Sequence, residues 1–178
     1  IFGLGVSGAA IARALKVSGV EIACWDDMQD VRASAGDLPL VDLYDIAFTA
    51  FDYLVLAPGI PHNYPGPHPI ARKAQAAGVP IISDIELMRR ADTISDLIAI
   101  TGTNGKSTTT ALIGHILHDD YPNSTGGNLG PPVGELDPAT GRYVLELSSF
   151  QLELTSTLKP TAAVVLNITP DHADRYAT

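Results

Sequence analysis

The run Leu97-Ile98-Ala99-Ile100-Thr101-Gly102-Thr103-Asn104-Gly105-Lys106-Ser107-Thr108 limits the fold more than any other segment of the chain. An apolar strand over 97–101 delivers the chain into a tight loop over 102–106, and a helix over 107–117 leaves it. In that order the loop N–H groups and the helix N-terminus point at one place, a site suited to phosphate oxygens. Lys106 would reach terminal phosphates, and Ser107 would offer its hydroxyl to Mg²⁺. The strict pattern G-x-x-x-x-G-K-[ST] is not met, because Ile100 stands where its first glycine belongs. The competing reading is a plain strand, turn and helix with a surface lysine.

Around this loop, short apolar strands alternate with amphipathic helices, which predicts an α/β fold built on parallel sheet. The spacing predicts a helix over 8–18, N-capped by Ser7 and ended by Gly19. Strands follow over 20–25, 53–57 and 79–82, with helices over 70–77 and 85–91. After the phosphate loop come strands over 143–147 and 162–167. Residues 28–50 carry no clear period. The polar stretch Asp92–Ser95 is the expected boundary, giving a Rossmann-like domain over 1–92 and a P-loop-type α/β domain over 93–178. Both ends read as cut, since Ile1-Phe2 runs straight into a glycine turn and the last residues form a polar loop.

Gly3-x-Gly5-x-x-Gly8 fits the dinucleotide fingerprint, and Asp26 follows Gly8 at the end of a strand, where an acidic side chain meets a ribose hydroxyl. A diphosphate or ribose can sit there without any nicotinamide; close packing of helix on strand would also require such glycines. Pro58-Gly59, ending a neighbouring strand, would line the same carboxyl edge. Glu146 lies near the end of an apolar strand, where a carboxylate is costly to bury without a cation or hydrogen bonds. Mg²⁺ is the natural partner; a strand-end glutamate reaching solvent is the alternative. His172 follows the strand over 162–167, and a lone histidine is more often structural than a ligand. His62, His68, His115 and His118 are expected on loop or helix surfaces.

Composition narrows the classes further. The chain has 178 residues, 46% of them hydrophobic, and a formal charge of -9. It can therefore bury a core, and it lacks the net basic character of a nonspecific nucleic-acid binder. The single cysteine, Cys24, lies in an apolar run and reads as a buried reduced thiol of a cytosolic protein. No uncharged apolar run approaches the roughly 18 residues of a membrane span. The start is not a signal peptide.

Taken together, GLGVSG at 3–8, APGI at 57–60, SDIELM at 83–88 and AITGTNGKST at 99–108 resemble the Mur ligase family. GGNLG at 126–130, LELSSFQLE at 145–153 and NITPDHADRY at 167–176 complete the resemblance, in family order and over nearly the whole chain. The last two segments resemble the D-glutamate-adding branch. The resemblance implies an ATP-dependent ligase that joins D-glutamate to UDP-N-acetylmuramoyl-L-alanine through an acyl phosphate, in peptidoglycan precursor synthesis. It implies that Val6, Ser7, Asp26, Asp27 and Gly59 contact the UDP-sugar, with Asn128 and His172 near its muramoyl-alanine end. Gly102, Thr103, Asn104, Gly105, Lys106, Ser107 and Thr108 match the ATP loop. Ser107 and Glu146 match ligands of one Mg²⁺ and His172 a ligand of a second, so Lys106, Glu146 and His172 are the expected catalytic groups. Met28 departs from an arginine that some members place after the acidic pair.

The resemblance further implies a third domain that holds D-glutamate, and a carbamylated lysine beyond Thr178, so the piece alone is expected to be inactive. A cytoplasmic monomer is expected, acting on neither nucleic acid nor membrane. Two other classes stay open. An NAD(P)-dependent oxidoreductase would use the loop at 3–8 but leave the second loop unexplained. A non-catalytic nucleotide-binding module would use both without turnover.

Overall fold

The computed structural model describes residues 1–176. The chain divides into two compact units, Ile1–Asp84 with the tail from His172, and Ile85–Asp171.

The first unit contains α1 (Val6–Val17), α2 (Gln29–Ala33), β1 (Leu54–Val55), α3 (Pro69–Ala76) and β2 (Ile81–Ile82). Its sheet is held by few pairings, all parallel. Phe2 bridges both Trp25 and Leu56, Cys24 bridges Leu40, and β1 pairs with β2. Chain segments therefore lie side by side in the order 40, 24–25, 2, 54–56, 81–82. That order places the third, second, first, fourth and fifth segments in sequence, the arrangement of doubly wound dinucleotide folds. The expected strand over 20–25 contracts to the bridges at Cys24 and Trp25. Buried Leu4, Ala12, Cys24, Ala35 and Leu38 pack into one cluster beneath it.

Two expectations change here. Helix α1 begins at Val6, and Gly5 rather than Ser7 is its N-cap, without any side-chain cap. The chain completes its turn at Gly3, whose φ of 90° no ordinary side chain adopts readily, so the helix starts earlier. His62 is 7% exposed, not on the surface. Residues 28–50, which carry no period, hold α2 and a short 3₁₀ turn at Phe48–Ala50.

The second unit contains most of α4 (Asp84–Ala91), then β3 (Asp96–Thr101), α5 (Lys106–His118), β4 (Ser124–Gly127), β5 (Arg142–Glu146), α6 (Ser149–Glu153) and β6 (Ala162–Val165). Its four strands are parallel in the order β4-β5-β3-β6. Strand β3 thus has neighbours on both sides, and the loop that leaves it opens in the middle of the sheet's carboxyl edge. Leu97, Ala99, Tyr143, Leu145 and Leu147 pack with Ile85 and Val133 as the core. Helix α6 begins with a capping box, in which Ser148 and Gln151 satisfy each other's backbone N–H groups.

Polar knots fix the ends of these elements. Asp92 accepts from the N–H groups of Ile94 and Ser95, the Ser95 hydroxyl and the Tyr143 hydroxyl. Burial and the Asp92 charge push the Tyr143 phenol up to about 12. Glu86, fully buried on α4, accepts from Arg90 and from both the backbone and the hydroxyl of Ser156 and Thr157. Among the described residues, no helix is long and apolar enough to cross a membrane.

Candidate functional site

In the second unit, two neighbouring strand ends bring the expected groups to one edge. Gly105 N-caps α5 in the left-handed region, with φ of 85°. Lys106 folds back over the loop, its Nζ donating to the carbonyls of Gly102 at 2.8 Å and Thr103 at 3.0 Å. The loop leans on the segment that follows β6. Thr103 N–H donates to the Asn167 carbonyl at 3.0 Å and Asn104 N–H to its Oδ1 at 2.9 Å. Asn167 Nδ2 in turn donates to the Asn104 carbonyl at 2.9 Å, and Thr169 N–H to the Thr103 hydroxyl at 3.0 Å. The amides of Thr103 and Asn104 are thereby spent on shape. Those of Gly105, Lys106, Ser107 and Thr108 meet no acceptor among the described residues, as befits donors at a helix start. Four such donors, beside a lysine whose ammonium meets only carbonyl oxygens among the described residues, are chemically suited to phosphate oxygens.

Glu146 ends β5 opposite Ile100 of β3 and Gly127 of β4. It is 2% exposed, so the solvent-reaching alternative is ruled out. Its Oε1 accepts from Asn128 Nδ2 at 2.8 Å, while buried Oε2 has no hydrogen-bond partner among the described residues. An orphaned oxygen on a buried carboxylate calls for a cation. No group of three or more His, Cys, Asp or Glu side chains gathers here among the described residues. That donor set suits Mg²⁺, which takes one or two protein oxygens and completes its shell with water and phosphate. The Ser107 hydroxyl, which no protein group engages among the described residues, is the second candidate oxygen.

In the first unit the glycine loop is closed from within. Leu4 N–H donates to Asp26 Oδ2 at 2.7 Å, and Met28 N–H to Oδ1 at 2.9 Å. Both oxygens keep lone pairs for a hydroxyl, but the carboxylate already has a task in the loop. A Cβ on Gly8 would stand 1.8 Å from the Gly3 carbonyl oxygen, so helix–strand packing by itself demands this glycine. Val6 is 74% exposed at the first turn of α1, with Ser7 beside it. Asp27 receives the Tyr44 hydroxyl at 3.0 Å and His68 Nε2 at 3.2 Å. His68 Nδ1 accepts from Ile70 N–H at 3.3 Å, capping α3, which puts the proton of a neutral ring on Nε2, facing Asp27. Burial and the Asp27 carboxylate push the Tyr44 phenol up to about 12.

Gly59 is held by the tail. Arg175, 7% exposed, donates to the carbonyls of Gly59 at 3.4 Å and Ile60 at 3.1 Å. His172, exposed and with φ of 50°, accepts through its carbonyl from Arg175 N–H at 2.8 Å. Ser107, Glu146 and Asn128 thus belong to the second unit, and His172 groups with the first.

The sequence reading gave no site role to Asn167, Arg175, Tyr44 or His68, although the first two lie in the segment 167–176 that carried part of the resemblance. The position of Asn167 follows from strand register. The parallel register sets Thr101 against Val165, so two residues past each strand end the chain must place Asn167 beside Thr103. Nothing in spacing could have found Tyr44 or His68, which reach Asp27 from 17 and 41 residues away.

Comparison with known proteins fits this geometry. Residues 100–178 match the Mur ligase middle domain. The chain is 48% identical, over 99% of its length, to UDP-N-acetylmuramoylalanine–D-glutamate ligase of Paramagnetospirillum magneticum. It is 50% identical, again over 99% of its length, to the protein of that name from Rhodospirillum rubrum. It spans 40% and 39% of those two relatives' lengths. A solved structure of UDP-N-acetylmuramate:L-alanyl-γ-D-glutamyl-meso-diaminopimelate ligase from Neisseria meningitides shares its fold. The TM-score is 0.59 at 18% identity, over 99% of this chain and 62% of that one. With the phosphate loop on the central strand and the half-satisfied carboxylate beside it, residues 100–178 match a Mur ligase middle domain, and the chain as a whole is similar to Mur ligases.

Proposed function

We propose that this chain is part of an ATP-dependent ligase that joins D-glutamate to UDP-N-acetylmuramoyl-L-alanine. The observation that carries the reading is the pairing of the Lys106 loop with Glu146, a buried carboxylate one oxygen short of satisfaction, at adjacent strand ends. The names of the two bacterial relatives supply the substrates.

In this reading the second unit holds ATP. The free amides of residues 105–108 receive phosphate oxygens, and Lys106 leaves the carbonyls of Gly102 and Thr103 to pair with the terminal phosphates. Ser107 and Glu146 would hold Mg²⁺, which when bound would supply positive charge to neutralise the phosphates. The γ-phosphoryl group passes to the alanyl carboxylate and gives an acyl phosphate. The amine of D-glutamate then attacks that carbonyl, and phosphate leaves as the amide forms. For this transfer Lys106 contributes charge stabilisation and the loop contributes position.

The first unit holds the uridine diphosphate, with Val6 and Ser7 at the start of α1, Asp26 and Asp27 at the strand end, and Gly59 opposite. Asn128 and His172 serve the muramoyl-alanine end, and His172 a second Mg²⁺. Action in the cytoplasm, where ATP and a sugar nucleotide are both at hand, and a monomeric state complete the proposal.

The test is calorimetry and a phosphate-release assay on the full-length protein with Mg²⁺-ATP, UDP-N-acetylmuramoyl-L-alanine and D-glutamate. Phosphate release that depends on both other substrates is expected. Tight NAD binding with no response to the UDP-sugar would overturn the reading in favour of an oxidoreductase. Binding of both nucleotides without turnover would make the protein a non-catalytic module.

A further inference from the structure

The hydrogen bond between Asn128 and Glu146 has more in it than satisfaction of a buried group. Asn128 is attached to Glu146 twice: its own N–H donates to the Glu146 carbonyl at 2.9 Å, and its Nδ2 donates to Oε1 at 2.8 Å. A carboxylate only accepts, so the amide must turn its nitrogen toward it. The approach is set by the preceding residue. Gly127, with φ of 113°, lies so close to β5 that a Cβ there would stand 2.3 Å from the Glu146 carbonyl oxygen. The result is a carboxylate with one oxygen tied down and the other, Oε2, buried and unengaged among the described residues.

The chemistry of the donor matters. A lysine or arginine in this place would neutralise Glu146 and remove its demand for a cation. A neutral amide orients the carboxylate and leaves its charge intact. Outer hydrogen bonds of this kind fix the rotamer of a metal ligand, and losing one typically costs about 10–100-fold in metal affinity.

We infer that Asn128 is a positioning residue that aims Glu146 Oε2 at a divalent cation. The inference rests on the proposal that Glu146 is a Mg²⁺ ligand. It gives Asn128 a role in the second unit separate from the sugar contact implied by resemblance, and one that operates with no UDP-sugar present.

The experiment uses the full-length protein with a non-hydrolysable ATP analogue, without UDP-sugar, and follows Mn²⁺ binding by the electron paramagnetic resonance signal of the free ion. Asn128→Ala and the near-isosteric Asn128→Leu should each weaken Mn²⁺ binding about 10-fold or more. Binding of the analogue without metal, and the circular dichroism spectrum, should match wild type. Glu146→Gln serves as the reference and should lose the Mn²⁺ site. If Glu146→Gln loses the ion while either Asn128 variant binds it as wild type does, positioning by the amide is overturned. If Glu146→Gln itself binds Mn²⁺ normally, the metal reading fails and the inference falls with it.

Discussion

Leu4 and Asp26, at the first turn and the end of the second sheet segment, are joined by a 2.7 Å hydrogen bond from backbone N–H to carboxylate. The acidic residue of a dinucleotide-type fingerprint therefore acts inside the protein before any ligand arrives. It closes the glycine loop and, through Met28 N–H, shapes the start of the next turn.

Replacing Asp26 with alanine should therefore lower stability as well as nucleotide affinity. Hydrogen bonds to a charged acceptor are worth about 1.5–3 kcal/mol, so a loss near the middle of that range is expected in urea unfolding. The Asp26→Asn variant keeps one acceptor oxygen and should lose less. An alanine variant as stable as wild type would show that the loop holds itself.

Gly8 and Gly5 should part company under the same change. A methyl on Gly8 collides with the Gly3 backbone oxygen, whereas a methyl on Gly5 meets nothing within 4 Å. Gly8→Ala should cost about 3 kcal/mol or more through overpacking against backbone that cannot yield. Gly5→Ala, at an N-cap, should stay within about 1 kcal/mol. Equal midpoints in urea would contradict the packing geometry.

Acid should loosen the second unit through Glu86. Burial raises its pKa, but hydrogen bonds from Thr157, Arg90 and Ser156 outweigh that and hold the carboxyl at about 2, against an ordinary 4.5. A lowered folded-state pKa means stability that is complete above the unfolded value and is lost as pH falls through about 2. Glu86→Gln should be less stable than wild type at neutral pH, and the gap should narrow as pH falls from 4.5 toward 2. Thermal midpoints measured across that range check the sign; a gap that widens in acid would refute it.

Lys106→Ala tests the phosphate loop. The variant gives up two bonds to loop carbonyls and, in the proposed complex, the contact to terminal phosphates. Phosphoryl transfer in the full-length protein should slow by orders of magnitude in a single-turnover assay while the UDP-sugar still binds. Near-normal transfer would remove Lys106 from the chemistry.

Local pattern made the second unit readable and the first less so. Strands β3 and β5 are buried between layers, so each is a continuous apolar run that stands out from its surroundings. Short β4, Ser124-Thr125-Gly126-Gly127, has no such run, since its glycines serve close backbone approach and its length comes from pairing with β5. Helix α6 is only five residues, too short for a period, and is defined by its capping box. Around 28–50 the chain is held by side chains rather than by repeating backbone bonds. Arg32 lies over the Trp25 ring at 4.4 Å, and Lys73 binds the Leu43 carbonyl. Such contacts leave no periodic trace. At the site, the loop residues were visible because backbone geometry restricts them. Asn128's bond to Glu146 was not, because it spans 18 residues between strands whose pairing the sequence does not announce.

The two glycines before Asn128 also bear on how this protein can change over evolutionary time. A Cβ on Gly126 would meet the Pro131 carbonyl at 2.2 Å, and one on Gly127 the Glu146 carbonyl at 2.3 Å. Both positions are closed to every other amino acid unless the backbone around them moves. Asn128, by contrast, is exposed. Drift at this corner is therefore channelled into a single side chain, and what selection can adjust there is the hydrogen bonding offered to Glu146 rather than the path of the chain.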